Sequence, residues 1–147
     1  MMKLNLSESP AEFARYLSYL YRVSNAHFTD EGKKIGLSPI QSIVLIGIYR
    51  HEGSNQKSIG KLIAVDAVVM SRALRELEKQ GYVKKHKDKE NRRNYCLHLT
   101  DSGIEIAEKS LQFQEQYWNN LLQVLTPEEG AALNHILKKI SDSIIQE

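Results

Sequence analysis

Residues 53–100, GSNQKSIGKLIAVDAVVMSRALRELEKQGYVKKHKDKENRRNYCLHLT, decide the fold. Asn55 can cap a short helix, because its side-chain oxygen accepts a backbone N–H left unpaired in the first turn. That helix contains Ile59, Leu62 and Ile63. Ala64-Val65-Asp66 makes a short turn, and Gly60 suits a close crossing of the two helices it joins. Asp66 can cap the second helix, in which Met70, Ala73, Leu74 and Leu77 recur at three- and four-residue spacing until Gly81 stops it. After Gly81 the texture changes. Two short strands, at 82–85 and 94–99, flank a polar tip at 86–93. The order is helix, tight turn, helix, charged hairpin.

Outward from this centre, the three prolines each repeat one local pattern: Ser9-Pro10-Ala11-Glu12, Ser38-Pro39-Ile40-Gln41 and Thr126-Pro127-Glu128-Glu129. A capping hydroxyl, proline at the first helical position and Glu or Gln at the third mark three helix starts. The first helix carries Phe13, Leu17, Leu20, Tyr21 and Phe28 and fades near Gly32–Gly36. The second carries Ile43, Val44, Ile46, Ile48 and Tyr49 and stops at Gly53. Thr100 caps a long fifth helix with Ile104, Ala107, Leu111, Tyr117 or Trp118, Leu121, Leu122 and Leu125 on its apolar side. The last helix uses Leu133, Ile136, Leu137, Ile140 and Ile144. A small domain with helices this long must bury their stripes against something beyond itself, and a two-fold dimer is the simplest partner.

Composition bounds the function. At 147 residues, 41% hydrophobic and 26% charged, the chain is an ordinary globular domain with a real core. No run of roughly 18 apolar residues suggests a membrane span, and the start, MMKLNLSESPAEF, lacks the features of a secretory signal. The single cysteine, Cys96, cannot form an internal disulfide, so the cytoplasm is the expected compartment. Net charge is only +2, but residues 54–103 hold 11 Lys and Arg against 6 Asp and Glu, whereas the flanks hold 9 against 12. A basic segment within an acidic chain is the footprint expected of phosphate binding.

The second central helix, 66–80, leaves Ala67, Val68, Ser71, Arg72 and Arg75 on the side opposite its apolar residues. Arginine can pair bidentately with guanine, serine can donate or accept, and alanine or valine can touch a thymine methyl. Gln56 and Lys57 stand at a helix start, where N–H groups and the helix dipole suit a phosphate, and they are equally ordinary surface residues. Lys85, on the first strand, joins the basic set.

Three motifs carry a family resemblance: Leu37-Ser38-Pro39-x-Gln41, Asp66 through Leu77-Glu78-Lys79-Gln80-Gly81-Tyr82-Val83, and Asp88-x-x-Asn91-Arg92-Arg93 followed by Leu99-Thr100. Together they resemble the MarR family of bacterial regulators from about Leu37 to Gly103, and helix order extends the likeness to the whole chain. The resemblance implies a mainly α fold: six helices, a two-stranded β-wing and a winged helix-turn-helix over 37–100. It also implies helical dimerisation regions at 1–36 and 101–147. The helix at 66–80 would enter a major groove and the wing a minor groove, with Arg92 or Arg93 inserted and Asp88 orienting an arginine by an ion pair. The implied function is sequence-specific binding of double-stranded DNA at a pseudo-palindromic operator by a homodimer, as a repressor. The chain departs from the family pattern at Asn91, where an acid is common, and at Ala67-Val68-Val69, where serine or threonine is common. These valines shift base preference towards thymine methyls, or one of them packs against the turn.

Other readings stand beside this one. Tyr16, Tyr19, Tyr49 and Trp118 could line a pocket for a small aromatic or lipophilic effector that relieves repression, or could be plain core. Cys96 could sense oxidants or be a half-buried structural thiol. His27, His51, His86, His98 and His135 show no metal-ligand spacing, and no metal or cofactor is expected. No nucleophile elbow, phosphate loop or carboxylate pair supports an enzyme. The main competitor is a winged-helix module that binds another protein.

Overall fold

The computed structural model describes residues 10–92 and 94–145. Its elements are α1 (Pro10–Ile35), α2 (Pro39–Arg50), α3 (Gln56–Leu62), α4 (Ala67–Lys79), β1 (Val83–Lys87), β2 (Tyr95–Leu99), α5 (Asp101–Leu122) and α6 (Pro127–Ile145). This is the expected mainly α architecture, with one two-stranded antiparallel sheet among the described residues. None of the described helices is long and apolar enough to cross a membrane.

The chain divides into two compact units, Met1–Pro39 and Ile40–Glu147. In the first, α1 runs for 26 residues, and the Leu37 amide then donates to the Gly32 carbonyl at 2.9 Å, closing its C-terminal end. Phe13, Tyr16, Leu17, Leu20 and Val23 on α1 are exposed. The proposed cap at Ser9 lies outside the described residues.

In the second unit the core joins every element before α6. Val44, Leu45 and Ile48 of α2 are buried with Ile59 of α3, Met70, Leu74 and Leu77 of α4, Leu97 of β2 and Ala107 of α5. Each large side chain among them contributes about 1.5–3 kcal/mol relative to exposure. Gly60 does permit a close approach, since a Cβ there would lie 3.2 Å from the Val65 carbonyl oxygen and 3.9 Å from Met70 Cγ. A second close approach is of α2 to α3. A Cβ on Gly47 would lie 3.0 Å from Ile63 Cγ2 and 3.2 Å from Ile59 Cγ2.

Ile43 and Leu62, apolar positions on their helices, are exposed, and α6 buries none of its described residues. Helical period says which residues share a face, not what covers that face. The hairpin is also longer than its charge pattern suggests. β1 continues through His86 and Lys87, which pair with Cys96 and Tyr95, so the loop shrinks to 88–94. A ladder is made by backbone groups, and outward charges on it cost little.

One further strand-like segment had no sequence signal. Gly53 N donates to the Leu97 carbonyl and Leu97 N to the Ser54 carbonyl, at 2.9 and 3.0 Å. Asn55 then bridges to Cys96. The segment before α3 is thereby tied to the free edge of β2, which fixes the helix pair against the hairpin.

Candidate nucleic-acid interface

Two adjacent features position α4. In the turn before it, Ala64 adopts φ 54°, a left-handed conformation uncommon for a residue with a side chain, and Val65 N donates to the Gly60 carbonyl at 2.9 Å. Asp66 then takes extended geometry, and its Oδ1 accepts the amides of Val68 and Val69, each at 3.0 Å. The chain reverses within a few residues and starts α4 with two of its orphan donors satisfied.

The helix is strongly two-sided. Met70, Ala73, Leu74 and Leu77 are buried, while Ala67, Val68, Ser71, Arg72 and Arg75 are exposed. Val68 is 71% exposed and Val69 38%, so neither packs away in the turn and Val68 stands outward. This outer face offers two guanidinium forks, a hydroxyl and an aliphatic tip.

Gln56 is not a free surface group. Asn55 Oδ1 caps α3 by accepting Ser58 N at 2.9 Å, which places Gln56 at the first helical position. From there Gln56 Nε2 donates to Ser71 Oγ at 2.7 Å, linking α3 to the outer face of α4. Lys57, beside it, is exposed.

A cleft of about 820 Å³ opens between α3, the start of α4 and the hairpin. Of the residues singled out from sequence, it brings together Gln56, Lys57, Ala67 and Lys85, and it adds Lys61 and Tyr95. Lys61 was legible in principle, being four residues from Lys57 and therefore on the same face of α3. Tyr95 carried no such signal. Lys85 reaches across to α4 and pairs with Glu78 at 2.9 Å, so it ties hairpin to helix.

At the hairpin tip, Asp88 Oδ1 accepts the amides of Glu90 at 2.8 Å and Asn91 at 3.4 Å. Asp88 N donates to the Asn94 carbonyl at 3.0 Å, and Asn94 N to that of Asn91 at 2.8 Å. Asp88 therefore closes the turn as an aspartate local bridge. Arg92 is exposed at the tip. Arg93, its partner in the motif, lies outside the described residues.

The aromatic set is divided. Tyr16 and Tyr19 are exposed on α1 in the first unit, with the Arg15 guanidinium 4.4 Å from the centre of the Tyr16 ring. In the second unit Trp118 packs edge-on against Tyr117 at 5.1 Å. Tyr49 donates to Glu108 Oε1 at 3.1 Å. That hydrogen bond, with repulsion from the carboxylate and partial desolvation behind it, raises the Tyr49 pKa by favouring the neutral phenol. Cys96 is half-buried in β2. Beside it the His86 and His98 rings lie 5.0 Å apart, and His98 Nδ1 is 3.4 Å from Glu52 Oε1. Among the described residues no group of three or more His, Cys, Asp or Glu is placed to hold a metal ion.

The geometry agrees with comparisons to known proteins. The sequence pattern of the MarR family matches residues 35–94. The HTH-type transcriptional regulator SarZ of Staphylococcus haemolyticus (strain JCSC1435) is 30% identical over 111 residues, covering 76% of this chain and 75% of that protein. A MarR protein structure from Peptoclostridium difficile matches with a TM-score of 0.84 at 25% identity, covering 99% of this chain and 94% of that one. A putative MarR family transcriptional regulator from Listeria monocytogenes, solved with a 26mer DNA, matches with a TM-score of 0.84 at 26% identity. That match covers 90% of this chain and 89% of that one. With its capped two-sided α4, its hairpin and this likeness over most of its length, the chain belongs to the MarR family of transcriptional regulators.

Proposed function

We propose that this regulator binds double-stranded DNA sequence-specifically, as a cytoplasmic homodimer that represses from a pseudo-palindromic operator. The carrying observation is the outer face of α4: Ala67, Val68, Ser71, Arg72 and Arg75 exposed opposite a fully buried row, beside a cleft with Lys57, Lys61 and Lys85. Arg72 and Arg75 have the shape and donors to read base edges, while the lysines have the charge to hold phosphates. The similar Listeria monocytogenes protein, solved with DNA, supports the same use of this fold.

The dimer, formed through 1–36 and 101–147 around a winged core at 37–100, is supported by apolar exposure in both units. On α6, Ile136 is 52% and Ile144 67% exposed, and α1 exposes Leu17 and Leu20. Stripes of this kind seek a partner. Two copies would place their α4 helices in half-sites about one helical turn (roughly 10 bp) apart. Relief of repression by a small aromatic or lipophilic effector belongs to the same proposal.

Selection of bound sequences from random duplex DNA tests this reading, with wild type beside Arg72→Ala and Arg92→Ala. Arg72→Ala changes base preference, whereas Arg92→Ala lowers affinity and flanking A·T preference. Wild-type binding weakens steeply with salt as phosphate contacts release counterions. Failure of the wild type to enrich any palindrome refutes specific DNA reading, and a monomer in sedimentation at micromolar protein refutes the dimer.

A further inference from the structure

We infer that Gln56 sets the hydrogen-bonding polarity of Ser71, making it a donor to the base it meets and so favouring guanine or thymine over cytosine. The inference rests on the proposed DNA reading and adds a specificity-determining residue outside α4.

A serine hydroxyl has one proton and two lone pairs. Buried mid-helix serines in this chain return that proton to the carbonyl four residues back: Ser24 to Leu20 at 2.6 Å, and Ser110 to Ile106 at 3.0 Å. Ser71 makes no such bond. Its hydrogen bond is to Gln56 Nε2, at 2.7 Å, and there the amide is the donor. One lone pair of Ser71 is thereby occupied, and the hydroxyl proton must point elsewhere. Ser71 is exposed on the same side of α4 as Ala67, Val68, Arg72 and Arg75, so that proton is available to a ligand on this face.

Gln56 can impose this because it is itself held. It begins α3 directly after the Asn55 cap, and the preceding segment is tied to β2 through the Asn55 bridge. Its amide therefore approaches Ser71 from a fixed base.

The consequence follows from base-edge chemistry. In the major groove guanine offers N7 and O6 and thymine offers O4, all acceptors, whereas cytosine offers only its N4 amino donor. Opposite guanine or thymine, Ser71 accepts from Gln56 and donates to the base, and both bonds are made. Opposite cytosine the hydroxyl would have to accept from both sides, leaving its proton without a partner in a closed interface.

Reversing the partner reverses the preference. In Gln56→Glu the carboxylate accepts the Ser71 proton, freeing the hydroxyl lone pairs for cytosine N4 or adenine N6. Gln56→Met removes the partner, so the hydroxyl rotates to suit either kind of base. The experiment is selection from random duplex DNA at one salt concentration with wild type, Ser71→Ala, Gln56→Glu and Gln56→Met. The position whose preference relaxes in Ser71→Ala is the one residue 71 reads. There the wild type favours guanine or thymine over cytosine about fivefold, the worth of one net hydrogen bond. Gln56→Glu inverts that ratio and Gln56→Met narrows it, while preferences at positions set by Arg72 persist in both. The inference is overturned if Ser71→Ala relaxes no position, or if Gln56→Glu keeps the wild-type base. Should Gln56→Glu fail to fold, an undiminished preference in Gln56→Met overturns it equally. Enrichment of no sequence by the wild type refutes DNA reading itself, and this inference with it.

Discussion

A single methyl group at Gly103 tests how the hairpin is docked on α5. A Cβ built there would lie 2.0 Å from the Tyr82 carbonyl oxygen, 2.9 Å from its carbonyl carbon and 3.2 Å from Tyr82 Cα. All three are backbone atoms, so no side-chain rotation relieves the clash. The first turn of α5 must retreat by roughly 1 Å or more to restore ordinary contact. Two bonds from Thr100 bridge that gap: its amide donates to the Tyr82 carbonyl at 3.0 Å, and its Oγ1 to the Gly81 carbonyl at 2.6 Å. Loss of both costs about 2 kcal/mol, and overpacking adds about 1–3 kcal/mol. Alanine's better helix propensity returns about 1 kcal/mol. Gly103→Ala should therefore be less stable than wild type by about 2–4 kcal/mol, with the clash outweighing the propensity. Gly130→Ala is the control, because nothing lies within 4 Å of a Cβ at that helical position. Urea denaturation followed by circular dichroism, at matched protein concentration because association shifts the midpoint, reads both. The expected result is a lower midpoint at unchanged slope for Gly103→Ala and no loss for Gly130→Ala. Equal stability of the two variants refutes the docking argument.

Other perturbations probe the rest of the frame. Asp66→Ala removes the acceptor for the Val68 and Val69 amides and should lower stability by about 1 kcal/mol, with Asp66→Asn losing less; denaturation midpoints decide, and equal losses in the two variants count against the cap. Ala64→Gly relieves a side chain held at φ 54°, a strain of about 1–2 kcal/mol set against glycine's extra unfolded-state entropy. Thermal unfolding should show a small gain, and a clear loss would contradict the strain. The Tyr49 phenol should titrate above the ordinary tyrosine range and move back towards it in Glu108→Gln, read as the ultraviolet difference from Tyr49→Phe. Because the folded pKa is the raised one, the stabilisation is present below the unfolded tyrosine pKa and fades as pH climbs through the folded value. A pH–stability curve in Glu108→Gln identical to wild type argues against that contact.

Local chemistry made much of this protein legible. Asn55, Asp66 and Thr100 were readable as caps because a short side chain can meet an amide two or three residues ahead with no help from the rest of the fold. The outer and inner faces of α4 were equally readable, since Met70, Leu74 and Leu77 share a side through helical period alone. Where sequence reasoning fell short, the deciding partner was distant. Charge at His86 and Lys87 suggested a loop tip, but backbone pairing with Cys96 and Tyr95 made them strand. Gln56 and Lys85 were legible only as candidate DNA contacts, and folding set one against Ser71 and the other against Glu78.

The sequence by itself thus determined the order of elements, their caps, and the set of residues that face outward on α4. Each of those follows from spacing within a few residues. Only the tertiary structure decided that residues 53–55 join the edge of β2, that Gly47 lies close against Ile59 and Ile63, and that Lys61 and Tyr95 share a cleft with Lys57. Such contacts depend on the relative placement of whole elements, which core packing sets and no local spacing encodes.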